Sequence, residues 1–350
     1  MMVNALFVLM LGAFLLLLLT WGFRTLPQEQ WQIMATVPRK KDRWGQWVGV
    51  NITYYGLLTA SAGTLAILTF VMLMAAVGVP CHASLMVVGV VLACCLPAAK
   101  LVARVVERKQ HTSSVAGAAF IGIVISPLVV WLVNASQRAG VAHSPLVPSI
   151  AAMAIAYVLG EGFGRLACIS FGCCYGKPIT EVGWPVRRLF EKFHFAFRGE
   201  TKKIAYAADL ENIKVVPIQA LTSLLYVAAA LTGMLLFLQS HFRTAFVLTM
   251  VLSHGWRIYS ETLRADERGG GSISVYQVMA MIGLLYAVAA AVCLPEGRTP
   301  LADLAAGLSA LWDPAVIIVL QALWAVIFLY TGWSMVTGSV LSFHVHRDRI

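Results

Sequence analysis

Seven long stretches of this chain carry no charged residue: 1–23, 52–99, 112–137, 144–160, 215–240, 269–295 and 314–343. A run of about 20 apolar residues crosses a bilayer as a helix, and a water-soluble core cannot absorb this many of them. The run 52–99 is long enough for two crossings, broken near Gly78, Val79 and Pro80. A shorter run, 244–256, completes a crossing if the segment includes Arg257. The expectation is an all-α, polytopic integral membrane protein of about nine transmembrane helices, since only helices and closed barrels satisfy their backbone hydrogen bonds in lipid and these runs are too long for barrel strands. Charged residues make up 12% of the chain, about half the share in soluble domains.

The first apolar run has no basic residue before it and no small-x-small cleavage site after it, so it reads as a retained anchor. The seven cysteines are odd in number and most lie inside apolar runs, which argues against a disulfide framework; Cys81, Cys94, Cys95 and Cys293 read as small apolar helix residues. The net charge of +10 is dispersed over loops, a pattern that favours anionic lipid head groups and not nucleic acid. No phosphate-binding loop, dinucleotide fingerprint or internal repeat is present. The longest loop, 172–216, contains RRLFEKFHFAFRGETKK, which reads either as an interfacial segment lying on head groups or as a solvated loop with some buried aromatics.

With nine crossings the loops sort into two sides. One side receives 20 of the 26 Lys and Arg, while the other has only Arg138, Arg243 and Arg298; Lys100, Arg165 and Arg257 lie within helices. The positive-inside rule makes the basic side cytoplasmic.

Chemistry is concentrated in 160–178, GEGFGRLACISFGCCYGKP, and in 257–269, RIYSETLRADERG. Glu161 and Arg165 are four apart, as are Arg257 and Glu261, so each pair shares a helix face. Arg264 follows three residues after Glu261. The bland reading is two self-neutralising pairs that hold helices together. The functional reading is two arginines converging on an anionic substrate, because the planar guanidinium fork matches phosphate oxygens and a glutamate can orient it. Arg165 and Arg257 both fall near the basic-side ends of their helices, Tyr55 begins a helix on that side, and His111 precedes one there. Cys168, Cys173 and Cys174, spaced C-x4-CC without a companion pair, match no usual zinc pattern. They read as small filler or, for a thiol near Arg165, as a reactive group. No metal and no cofactor is expected.

The pattern G-R followed by Gly172 and Gly176, with ITYYGL at Tyr55, PIQAL around Gln219, the arginine-x-x-x-glutamate-x-x-arginine helix end, and Ser274 with Gln277, resembles the prolipoprotein diacylglyceryl transferases. The resemblance spans roughly residues 50–295. It implies a seven-helix transferase-like core over 51–295, with an added anchor helix and basic loop in 1–50 and an added helix and tail in 296–350. It also implies transfer of diacylglyceryl from phosphatidylglycerol to a lipobox cysteine of a prolipoprotein in the bacterial inner membrane, with release of glycerol phosphate. By position, Arg165, Arg257, Tyr55 and His111 would be catalytic. Glu161, Gly164, Cys168, Cys173, Gly176, Gln219, Glu261 and Arg264 would bind substrate, with Glu261 fixing Arg257. The chain departs from the family in having Cys168 and Cys173 where asparagine and an acid are usual. The family's site faces the periplasm, opposite to the charge count. A relative with another acceptor, or a phospholipid-binding or transport protein without chemistry, remains open at this point.

Overall fold

The structure is a computed structural model that describes residues 1–106, 114–136, 144–266, 273–295 and 301–350. In chain order the long helices are α1 (Met2–Thr25), α2 (Tyr54–Ala76), α3 (Cys81–Val106), α4 (Val115–Ser136), α5 (Leu146–Phe171), α8 (Ile218–Leu238), α9 (Phe242–Ser260), α10 (Val275–Cys293) and α12 (Pro314–Gly332). Short helices α6 (Trp184–Phe190), α7 (Lys203–Ala208) and α11 (Leu304–Ala310) lie between them. Among the described residues, eight helices are long and apolar enough to span a membrane. The other long one, α9, is the segment that carries Arg257, and it packs between α8 and α10. The chain is thus a polytopic, mostly helical membrane protein.

Helix α5 is the hub, and its residues explain why. Gly160 and Gly164 face α2, where an added Cβ would lie 2.7 Å from Ala66 Cβ and 3.4 Å from Ala62 Cβ. On another face, Ser223 of α8 donates to the Gly162 carbonyl at 2.7 Å. Small residues let backbones approach when lipid supplies no hydrophobic drive to helix pairing. These glycines are therefore packing residues, and Gly164 in particular touches the neighbouring helix.

The apolar run 314–343 does not remain helical to its end. Helix α12 stops at Gly332, and Trp333–Leu341 forms β3, which pairs antiparallel with β2 (Trp47–Thr53), itself antiparallel to β1 (Ile33–Lys41). Side chains far apart in sequence hold this pairing. Asn51, fully buried in the central strand, accepts from Thr36 at 2.8 Å and Ser339 at 2.6 Å and donates to Thr337 at 3.2 Å. Residues read as basic loop and as helix thus share one polar stitch. β2 runs directly into α2, placing Tyr55 in the first helical turn, and Thr53 donates to the Gly332 carbonyl at 3.1 Å.

In loop 172–216, Trp184, Leu189 and Phe193 are exposed beside Arg187 and Arg188, while Phe190, Phe195 and Phe197 are buried. Its anchor is Lys202, wholly buried, whose Nζ donates to the carbonyls of Leu26 at 3.1 Å and Ser170 at 2.7 Å. Burial pushes this lysine down to about 8 from its ordinary 10.5, against an opposing pull from Glu29. Between those values the unfolded chain holds the extra proton, so stability rises with pH across the window by at most about 1.4 kcal/mol per unit, and below it the group contributes no slope. Thermal unfolding in detergent from pH 7 to 10 should therefore show a rise above pH 8 in the native chain that is absent from Lys202→Met; parallel curves would contradict the assignment.

Candidate functional site

Helix α5 extends well beyond the apolar run that announces it, and its last turns carry Tyr157, Glu161 and Arg165 at successive four-residue steps. One helix face therefore presents a phenol, an acid and a base in line. Arg165 donates to Glu161, and the Tyr157 hydroxyl donates to the same carboxylate. Arg257 of α9 reaches across to donate to Glu161 and, at 3.0 Å, to the Tyr157 hydroxyl. The side chains of Glu161, Arg257 and Arg165 are 4%, 12% and 13% exposed. Glu161 is thus the shared acid of both arginines.

This corrects the expected pairing of Arg257 with Glu261. The Glu261 backbone N–H still reaches the Arg257 carbonyl at the end of α9, so the spacing survives, but the Arg257 guanidinium turns inward to α5. Arg257 instead takes its acid from another helix. Two guanidiniums on one carboxylate leave the triad with an excess positive charge, and Arg165 Nε is buried with no hydrogen-bond partner among the described residues. A buried donor left unsatisfied costs about 1–3 kcal/mol. An anion placed there would relieve that cost and the charge excess together.

The remaining sequence candidates fall around this triad. Tyr175 to Lys177 pair with Leu263 to Ala265: Lys177 N donates to Leu263 O at 2.9 Å, Ala265 N to Tyr175 O at 3.2 Å, and Gly176 bridges Arg264. Gly176 has no room for a side chain, because a Cβ would lie 2.3 Å from the Val216 carbonyl oxygen. This short ladder fixes Arg264, which grips Asp266 through two bonds at 2.8 and 2.7 Å. Gln219, fully buried at the start of α8, donates to the Cys173 carbonyl at 2.8 Å and so holds the signature loop. Tyr55 packs against Phe171, ring centroids 5.5 Å apart, within electrostatic reach of Cys168, Cys173 and Cys174. The three sulfurs lie within 4.8 Å of one another. Ser274 and Gln277 form a reciprocal cap on α10, and Gln277 donates to the Ile258 carbonyl of α9 at 2.9 Å. His111 lies outside the described residues.

Two residues escaped the sequence reading. Tyr157 stands four before Glu161, a spacing that could have marked it. His254, one turn before Arg257 on α9, is buried with Nδ1 3.1 Å from the Met250 carbonyl. With Phe120, Tyr157, Arg257 and Tyr276 it lines a small cavity between α4, α5, α9 and α10. A lone histidine inside a moderately apolar helix gave no signal of that position.

A family model described as prolipoprotein diacylglyceryl transferase matches residues 46–293, which hold the seven long helices from α2 to α10 and the whole site. No curated protein and no solved structure matches the chain.

Removing one partner of a buried ion pair typically costs about 3–5 kcal/mol. Glu161→Ala strands two guanidiniums, whereas Arg257→Ala leaves Glu161 with Arg165. The first should lower the melting temperature in detergent, and the amount accumulating in the membrane, more than the second. The reverse order would show that Glu161 is not the shared partner.

Proposed function

The chain belongs to the prolipoprotein diacylglyceryl transferase family, and on that premise we propose that it moves the diacylglyceryl group of phosphatidylglycerol onto the thiol of a prolipoprotein lipobox cysteine. The observation that carries this reading is the pair of arginines sharing Glu161, with Arg165 Nε unspent. A phosphodiester head group presents one negative charge and several acceptor oxygens, which is the complement of that arrangement.

In the proposed reaction the acceptor sulfur attacks the glyceryl carbon that bears the phosphate. A carbon–sulfur bond forms, the carbon–oxygen bond breaks, and glycerol phosphate leaves with the electron pair. Charge grows on the departing phosphate, so preorganised Arg165 and Arg257 would stabilise the transition state more than the bound lipid. The thiol proton must also go somewhere, and a phosphate monoester, with a second pKa of about 6, is able to take it up. Tyr157 and Glu161 act by orienting the guanidiniums. Tyr55, in the first turn of α2, would face lipid or acceptor, and His111 falls in the region of the family's histidine segment, a few residues from its expected place. Gln219 and Gly176 keep the signature loop in place. The bacterial inner membrane is the setting this substrate requires.

Purified protein incubated with head-group-labelled phosphatidylglycerol and a lipobox peptide should release labelled glycerol phosphate. Arg165→Ala and Arg257→Ala are each expected to reduce release by at least about a hundredfold, the scale seen when one electrostatic donor is removed from a transition state, while remaining inserted. Unimpaired turnover in either variant would remove it from the site. Lipid binding by the native chain without any release would favour a phospholipid-binding role.

A further inference from the structure

The cysteine trio is not used by the transfer reaction above, and its geometry is specific. Cys168 lies on the last turns of α5, one turn after Arg165, whereas Cys173 and Cys174 follow the helix in sequence. Consecutive side chains of an extended chain point to opposite sides. Here α5 ends on Gly172 with φ of 72°, and Cys174 itself has φ of 57°, a conformation that residues other than glycine adopt rarely. The result brings both loop sulfurs to the helix sulfur, all within 4.8 Å, and none of the three is in a disulfide.

We propose that Cys168, Cys173 and Cys174 bind one thiophilic metal ion of the Zn(II) or Cu(I) kind. The sulfur edge in a tetrahedral zinc site with bonds of about 2.3 Å is about 3.8 Å, so the trio needs a contraction of no more than about 1 Å. Soft thiolate donors select zinc and Cu(I) over harder cations. The thiolate charge that such a site requires has cationic neighbours. Arg165 lies within electrostatic reach of Cys168 and Cys174, and Arg264 of Cys174, and the bound ion itself would deprotonate the coordinating thiols. Zinc with three thiolates carries a net charge of −1.

A second observation points to a ligand at the same place. Gln219 spends its amide nitrogen on the Cys173 carbonyl, and its Oε1 is buried without a partner. A spare buried acceptor on the side chain that holds Cys173 is a candidate fourth donor, directly or through a water. Sequence spacing concealed this site, because C-x4-CC has no zinc-ribbon form and the fold supplies the proximity.

The test uses the full-length chain, reduced and purified in detergent, equilibrated with zinc chloride and desalted, with bound metal measured by inductively coupled plasma mass spectrometry. One zinc per chain is expected. It should be lost in Cys168→Ser, Cys173→Ser and Cys174→Ser and retained in Cys94→Ser and Cys293→Ser. In the unmodified protein, zinc should slow alkylation of the three thiols at least tenfold without protecting Cys94 or Cys293, a reading independent of whether the serine variants fold. Cobalt(II) in place of zinc should give a thiolate charge-transfer band. A metal content near zero, zinc surviving replacement of all three cysteines, or alkylation rates unchanged by zinc would overturn the proposal. None of these readouts depends on transferase activity, so the site can stand or fall apart from the proposed reaction.

Discussion

Glu161 serves two guanidiniums from inside a helix bundle, and the arrangement of the site follows from that one carboxylate. A lone ionised group in a membrane interior is costly enough that it must find a partner. Here the partners come from the same helix, as Arg165, and from α9, as Arg257. The carboxylate therefore does two jobs. It makes two arginines tolerable at depth, and it locks α9 to α5 at one rotation and one height. Tyr157 completes the lock by bonding to both the acid and Arg257. Because one negative charge answers two positive ones, the cluster remains hungry for an anion.

The surrounding fold works to keep that cluster at one end of the bundle. Glycines on α5 draw α2 and α8 against it, and the tie of Gln277 to the Ile258 carbonyl holds α10 to the end of α9. The signature loop is pinned to Arg264 by a short backbone ladder and to α8 by Gln219. Outside the family-matched span, the N-terminal strand and the C-terminal strand clasp β2, so segments from both ends of the sequence meet beside the start of α2. Lys202 ties α1 to the end of α5 through two carbonyls. These connections give the site a rigid floor made from parts that are far apart in sequence.

Much of this was legible in the sequence, for physical reasons. Apolar run length fixed the membrane class and nearly every crossing, because lipid imposes a length on any helix that spans it. Arginines inside such runs cannot be filler, so Arg165 and Arg257 stood out. The pairing was a different matter. Local spacing offered Arg257 its own Glu261, and only the tertiary packing of α9 against α5 reveals Glu161 as the partner. The segment Trp333–Leu341 was hidden for another reason. A short apolar run has no period that separates strand from helix, and what makes it a strand is its pairing with β2, more than 280 residues earlier. Lys202 and the closeness of the three sulfurs depend likewise on loop folding that leaves no linear trace.

The central claim is that Arg165 and Arg257, joined by Glu161, form the seat of a lipid phosphate. An experimental structure of the chain with phosphatidylglycerol bound tests it most directly. The phosphate should sit between the two guanidiniums, with an oxygen within hydrogen-bonding distance of Arg165 Nε. A phosphate held elsewhere, with Arg165 Nε still unpartnered, would contradict it.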